Sequence, residues 1–277
     1  MALSLIYITN NPEVALIAEE NGVELVMVDL ETLGKEERQR GLNTVKSHHS
    51  ISDITAISSV LTKSETLVRI NPWNDNSPLE IERVITAGAD RIMLPMWRSA
   101  DEVGAFTEVV NSRAKIILLL ETKEAVECLD RVLENPLIEE IHIGLNDLHL
   151  SYGMTFLFET LSNGVVEDLC KKFKENHLIY GFGGIARIGE GMLPAECIIM
   201  EHYRLGSTRA ILSRSFCNVD EIGDISCIRS VFKENIYKLN EYEKSIQTKS
   251  SEDYIENKKR IDLCVEQIVN KIREKNR

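Results

Sequence analysis

Short apolar runs rich in Ile, Val and Leu alternate along this chain with longer amphipathic stretches, a βαβα rhythm that builds a parallel sheet. Strands are predicted at 3–10 (LSLIYITN), 23–31 (VELVMVDLE), 66–73 (TLVRINPW), 90–96 (DRIMLPM), 115–122 (KIILLLET), 138–144, 178–186 (LIYGFGGIA) and 207–216 (STRAILSRSF). Helices are predicted between them at 12–22, near 50–62, at 77–89, 99–111 and 123–135, within 156–176, and at 193–206. Ser77 and Ser99 read as N-caps. Residues 144–147 (GLND) read as a turn, because Gly, Asn and Asp favour turns. Eight such units in order fit a closed (β/α)8 TIM barrel over residues 1–216. An open doubly wound sheet is the alternative, but the first βα turn, YITNNPE, lacks the GxGxxG of dinucleotide binding.

Past Phe216 the pattern changes to two long amphipathic helices, 224–245 and 252–276, a C-terminal extension over 217–277. In the last helix Tyr254, Ile261, Cys264, Ile268 and Ile272 recur at helical spacing. Such a stripe packs either on its own barrel or on a neighbouring subunit.

Composition narrows the class. The 277 residues are 43% hydrophobic and 27% charged, enough for a sizeable core. A net charge of −12 argues against nucleic acid, whose phosphates call for clustered Lys and Arg. The six scattered cysteines form no CxxC pair, which suits free thiols in a reducing cytoplasm. No stretch reads as a signal peptide or a membrane span.

Barrel enzymes carry their reacting groups at the C-terminal strand ends. The polar residues expected there are Asp29, Glu31, Arg69, Asn71, Glu121, Asp147, Gly183, Gly184, Ser213 and Arg214. Glu121 follows five apolar residues, where an unpaired carboxylate is costly to bury. It either opens the next helix, favoured by the dipole, or joins Asp147 in gripping a divalent cation. Mg2+ suits two carboxylates plus water and a chelating substrate, and Mn2+ accepts the same oxygens. Arg69 sits at an apolar barrel position, so it is either a structural salt bridge or a clamp for a substrate carboxylate. GFGGIAR (181–187) offers backbone amides near the ring position that often binds phosphate, and SHHS (47–50) reads as a solvated turn.

Four segments in register, LVRINPWND, AGADRIMLPM, LLLETKEAV and IHIGLNDLHLSYG, with VDLE at 28–31 ahead of them, resemble the HpcH/HpaI aldolase and citrate lyase β-subunit family. The resemblance spans about residues 22–216. It implies a metal-dependent carbon–carbon lyase, an aldolase acting on a 2-oxo acid through a metal-bound pyruvate enolate. It makes Glu121 and Asp147 the metal ligands and Arg69 the group that steadies the enolate oxygen. Backbone amides from Gly144, Leu145 and Asn146 to Asp147 would hold the keto-acid carboxylate, and Asp29 and Glu31 form the acidic second-strand motif. A cytoplasmic homo-oligomer is the expected assembly.

Three departures leave the general base and the branch open. Thr32 stands where the pyruvate aldolases carry a histidine, and Leu119 where they carry a glutamine. The citrate lyase relatives have DLED where this chain has DLET. His48 or His49 can substitute only if the 32–50 loop folds back, and the cationic run 34–41 can meet an anion or only solvent. A citryl- or malyl-CoA-type lyase acting on an acyl-CoA, and a non-catalytic barrel serving assembly, are the competing readings.

Overall fold

Eight parallel strands pair in chain order and close into a barrel. The computed structural model describes residues 2–34 and 49–275; His48 and nearly all of the cationic run lie outside them. The strands are β1 (Ser4–Ile8), β2 (Leu25–Asp29), β3 (Glu65–Arg69), β4 (Arg91–Leu94), β5 (Lys115–Leu120), β6 (Glu140–Ile143), β7 (Ile179–Ile185) and β8 (Arg209–Leu212). Seven fall within the predicted windows, trimmed at one or both ends, and β3 begins one residue ahead of its window. In β5 every residue from Ile116 to Leu120 is buried. Barrel strands are covered on both faces, so they read as continuous apolar runs without alternation.

Contacts divide the chain into two compact units, residues 6–142 and residues 1–5 with 143–277. The first unit carries α1 (Pro12–Glu20), α2 (Ile51–Ser58), α3 (Ser77–Thr86), α4 (Ala100–Val110), α5 (Lys123–Glu127) and α6 (Leu129–Leu133). Asn11 caps α1 by accepting from the amides of Glu13 and Val14, and Ser99 caps α4 at the Glu102 amide. Ser77 is the first residue of α3 and not its cap: its hydroxyl accepts from the amide of Asn74 at 2.9 Å. The single helix expected at 123–135 is two, broken at Cys128, where the backbone leaves helical geometry at φ −98° and ψ 5°.

The strand starts in this unit hold a chain of charges. Arg91 bonds both Glu65 and Glu140, the latter at 2.8 Å, and Lys115 reaches Glu65 at 2.5 Å. These are the first residues of four successive strands, and order at that end of a barrel reads as stability.

The second unit carries α7 (Leu145–Ser151), α8 (Glu159–Ser162), α9 (Val165–Glu175), α10 (Ala195–Leu205), a short 3-10 turn at Arg214–Phe216, α11 (Val219–Ile222), α12 (Ile225–Ile246) and α13 (Ser251–Lys275). Gly164, at φ 91°, splits the predicted 156–176 helix into α8 and α9, because a residue with positive φ cannot continue a right-handed helix. The GLND segment is not a turn but the start of α7. Leu145, Leu148 and His149 recur at helical spacing and are all buried, and that packing outweighs the local turn preference. Helix α13 packs along α10 and α8, and α12 also packs on α10. Ile261, Val265 and Val269 of α13 are buried there, whereas Ile255 and Leu263 are 55% and 61% exposed.

Candidate active site

In the first unit the last residue of β2, Asp29, is in register with the last residue of β3, Arg69. Their side chains meet in a two-pronged pair: Nε donates to Oδ1 at 2.9 Å and Nη2 to Oδ2 at 2.7 Å. A guanidinium and a carboxylate match each other's geometry in this fork, which fixes orientation as well as charge. The third nitrogen, Nη1, lies 3.5 Å from Glu31 Oε2. Asp29 is further braced by the Glu31 amide, which donates to its Oδ1 at 3.2 Å.

The carboxylates are shielded from water, whereas the Arg69 side chain keeps 16% of its surface exposed. Asp29 is 2% exposed, Glu31 3% and Glu121 3%. Burial by itself opposes the charge on Arg69. The attraction of Asp29, then of Glu31 and Glu121, outweighs it and holds the guanidinium above the ordinary arginine range. Arg69 is therefore a permanent cation, and Glu121 belongs to the same electrostatic cluster.

Glu121 directly follows β5 and precedes Thr122, the N-cap of α5. Its Oε1 accepts the amide of Met96 at 3.0 Å. Beside this cluster the loops after β2, β3 and β4 leave a cleft of about 340 Å³ lined by Leu33, Pro72, Trp73, Asn74, Met96 and Arg98 among others. Asn71 ties two of these loops together, accepting the amides of Thr32 and Leu33 at 2.9 and 3.0 Å. Asn71 thus sits where the sequence placed it, just past a strand end, and Trp73 lies on the loop beyond. Arg98 is a cleft residue that the sequence reading missed; its only signal was its place four residues after β4.

The remaining predicted residues belong to the second unit. Gly144 is the N-cap of α7, Leu145 and Asn146 are its first two residues, and Asp147 lies in its first turn. Amides in a first turn have no acceptor within their own helix. Gly183 and Gly184 lie inside β7 and are not a loop. Gly183 has φ +53°, and a Cβ there would fall 2.7 Å from Leu145 Cδ1. At Gly181 a Cβ would fall 2.3 Å from the carbonyl oxygen of Arg209. Close packing of β7 against its neighbours accounts for these two glycines without a phosphate. His149 is buried, with Nδ1 3.3 Å from the carbonyl oxygen of Leu145.

Among the described residues, no three His, Cys, Asp or Glu side chains gather into a preformed metal cage. Nor, among them, is any helix long and apolar enough to cross a membrane. All six cysteines are free.

A (β/α)8 barrel with an arginine and carboxylates at its strand ends is an enzyme scaffold of a well-populated kind. The family model of HpcH/HpaI aldolase/citrate lyase matches residues 4–157, and the chain belongs to that family. Comparison with curated proteins gives no match. Among solved structures, an HpcH/HpaI aldolase from Desulfitobacterium hafniense DCB-2 is 17% identical, covering 82% of this chain and 93% of its own, with a TM-score of 0.60. An HpcH/HpaI aldolase/citrate lyase family protein from Burkholderia cenocepacia J2315 is 14% identical, covering 82% and 95%, also at 0.60. RipC from Yersinia pestis is 15% identical, covering 83% and 94%, at 0.53. These likenesses show the barrel. Membership in the family supports a lyase-type enzyme acting on a small molecule.

Proposed function

We propose that the protein is a divalent-metal-dependent aldolase that cleaves a 4-hydroxy-2-oxo acid to a pyruvate enolate and an aldehyde. The observation that carries this reading is the half-buried, permanently charged Arg69 held among the buried carboxylates of Asp29, Glu31 and Glu121. A fixed cation pre-aimed by two carboxylates suits an anion that appears only during reaction.

Glu121 and Asp147 would hold the metal, Mg2+ or Mn2+. Their all-oxygen donor set fits a hard cation that takes few protein ligands and keeps other positions for water and substrate. The metal, when bound, supplies Lewis acidity toward the carbonyl of the 2-oxo acid. The first-turn amides of Leu145 and Asn146, with that of the N-cap Gly144 before them, bind the substrate carboxylate. As a solvent base takes the hydroxyl proton, the carbon–carbon bond breaks, the aldehyde leaves, and the bond's electrons pass toward the carbonyl oxygen, where Arg69 stabilises the growing charge. Asp29 and Glu31 keep the guanidinium oriented through that change.

Replacing Glu121 by Gln tests the reading. Mg2+ titrated calorimetrically in the presence of oxalate should bind the parent protein and not the variant, and cleavage of 4-hydroxy-2-oxo acids should fall by about 10²-fold or more. Undiminished turnover by the variant in chelator would overturn the assignment. Preference for acyl-CoA thioesters over free 2-oxo acids would move the activity to the citryl- or malyl-CoA type. The exposed Ile255 and Leu263 of α13 support assembly as a homo-oligomer, which sedimentation analysis tests directly.

A further inference from the structure

The last backbone amide of β2 has an unusual acceptor. The Leu30 amide donates to the carbonyl of Arg69 on β3, so by strand alternation the Asp29 amide faces the β1 side. There it donates to Nδ1 of His49 at 2.9 Å. His49 immediately precedes α2, whose start is rigidly set: the Ser50 amide and hydroxyl bond Asp53 Oδ2 at 2.7 and 2.9 Å. Helix α2 itself packs on β2 and β3 through the buried Ile54 and Ile57.

A nitrogen that accepts a backbone N–H must keep its lone pair, so the proton of the neutral ring is on Nε2. A general base needs its unprotonated nitrogen turned to the substrate, and here that nitrogen is turned to the protein's own main chain. We infer that His49 is a positioning residue: fixed as the Nε2–H tautomer, it pins the end of β2 so that Asp29 keeps Arg69 aimed, and it is not the base. The inference rests on the enolate-forming reading of the site in its catalytic consequence, but the tautomer and the pinning are properties of the resting protein.

Three variants separate the roles, because Asn presents an oxygen near the position of Nδ1 and Gln one near the position of Nε2. In His49→Asn the amide acceptor is restored, and kcat should stay within about fivefold of the parent, whereas His49→Gln and His49→Ala should lose about 10²-fold, the scale of a misplaced catalytic group. Exchange of pyruvate methyl protons with deuterated water should follow the same order. His49→Asn as inactive as His49→Ala would overturn the inference in favour of a base. Independently of turnover, 15N-histidine spectra of the full chain, with the His49 signals assigned by their absence in His49→Asn, should show Nδ1 unprotonated and Nε2 protonated at neutral pH. The opposite tautomer or an imidazolium there refutes the inference. Absence of pyruvate exchange in the parent would instead sink the lyase reading, and the spectra together with the unfolding midpoints of the three variants would still decide the pinning.

Discussion

Met96 holds Glu121: its amide, on a residue at φ 54°, donates to the carboxylate at 3.0 Å. A side chain larger than glycine's rarely occupies that left-handed region, and doing so costs about 1 to 2 kcal/mol. The strained residue turns an N–H toward a buried acid and at the same time forms part of the cleft wall. Strain of this kind is characteristic of sites where geometry matters more than local comfort.

The strain makes a prediction about substitution. Met96→Gly should unfold within about 1 kcal/mol of the parent, because relief of the left-handed backbone offsets the greater freedom of glycine in the unfolded chain. Met96→Val, β-branched at the same φ, should be destabilised by about 1 to 3 kcal/mol. Denaturant midpoints at constant slope decide between them.

Removing the cation of the cluster should be more damaging than removing strain. Arg69→Met leaves Asp29, 2% exposed, without its forked partner. Breaking a buried pair in this way costs about 3 to 5 kcal/mol. Arg69→Lys should retain the charge yet lose the two-pronged geometry, so cleavage should fall by about 10²-fold while stability falls less. Chemical denaturation and steady-state kinetics measured side by side test both halves.

Acid should loosen the loop ahead of β3. Glu19 at the end of α1 accepts three successive amides, from Thr62, Lys63 and Ser64, at 2.8, 2.6 and 2.8 Å. Desolvation works against its charge, but these amides prevail and bring its pKa down to about 2. A depressed folded-state value means stability that is present above the ordinary carboxylate pKa and is lost as the pH falls toward about 2. Glu19→Gln should therefore be less stable than the parent at neutral pH and show a flatter pH dependence of its unfolding midpoint between about 4.5 and 2.

Gly183 predicts a linkage between β7 and the helix that carries Asp147. An alanine there would meet Leu145 at 2.7 Å and keep a φ of +53°. Leu145 must yield, and it is the first residue of α7. Gly183→Ala should lower stability by about 1 to 3 kcal/mol and raise KM for the 2-oxo acid more than it lowers kcat. An unchanged KM would show that α7 does not bind the substrate carboxylate.

The barrel was legible because its signal is spread over eight apolar runs, and trimming each strand by a few residues alters nothing in the order. The Asp29–Arg69 pair was legible only as alternatives: an arginine amid Leu, Val and Ile must have an anion, but the sequence alone does not say which. Register supplied the answer by setting the two residues side by side. The start of α7 was misread because Gly, Asn and Asp are turn formers locally, whereas the burial of Leu148 and His149 is decided by tertiary packing. Nothing in the chain announced Met96 as the residue that holds Glu121, since a positive φ at methionine leaves no mark in composition or spacing.

The charged chain through Glu65, Arg91, Lys115 and Glu140 fastens the staves of the barrel at the ends remote from Asp29, Arg69 and Met96. Durability and selectivity are thereby lodged at opposite rims. Loops at one rim can be exchanged, lengthened or re-lettered without unfastening the other, so a designer seeking a different small-molecule partner would leave the lower hoop untouched and work only above it.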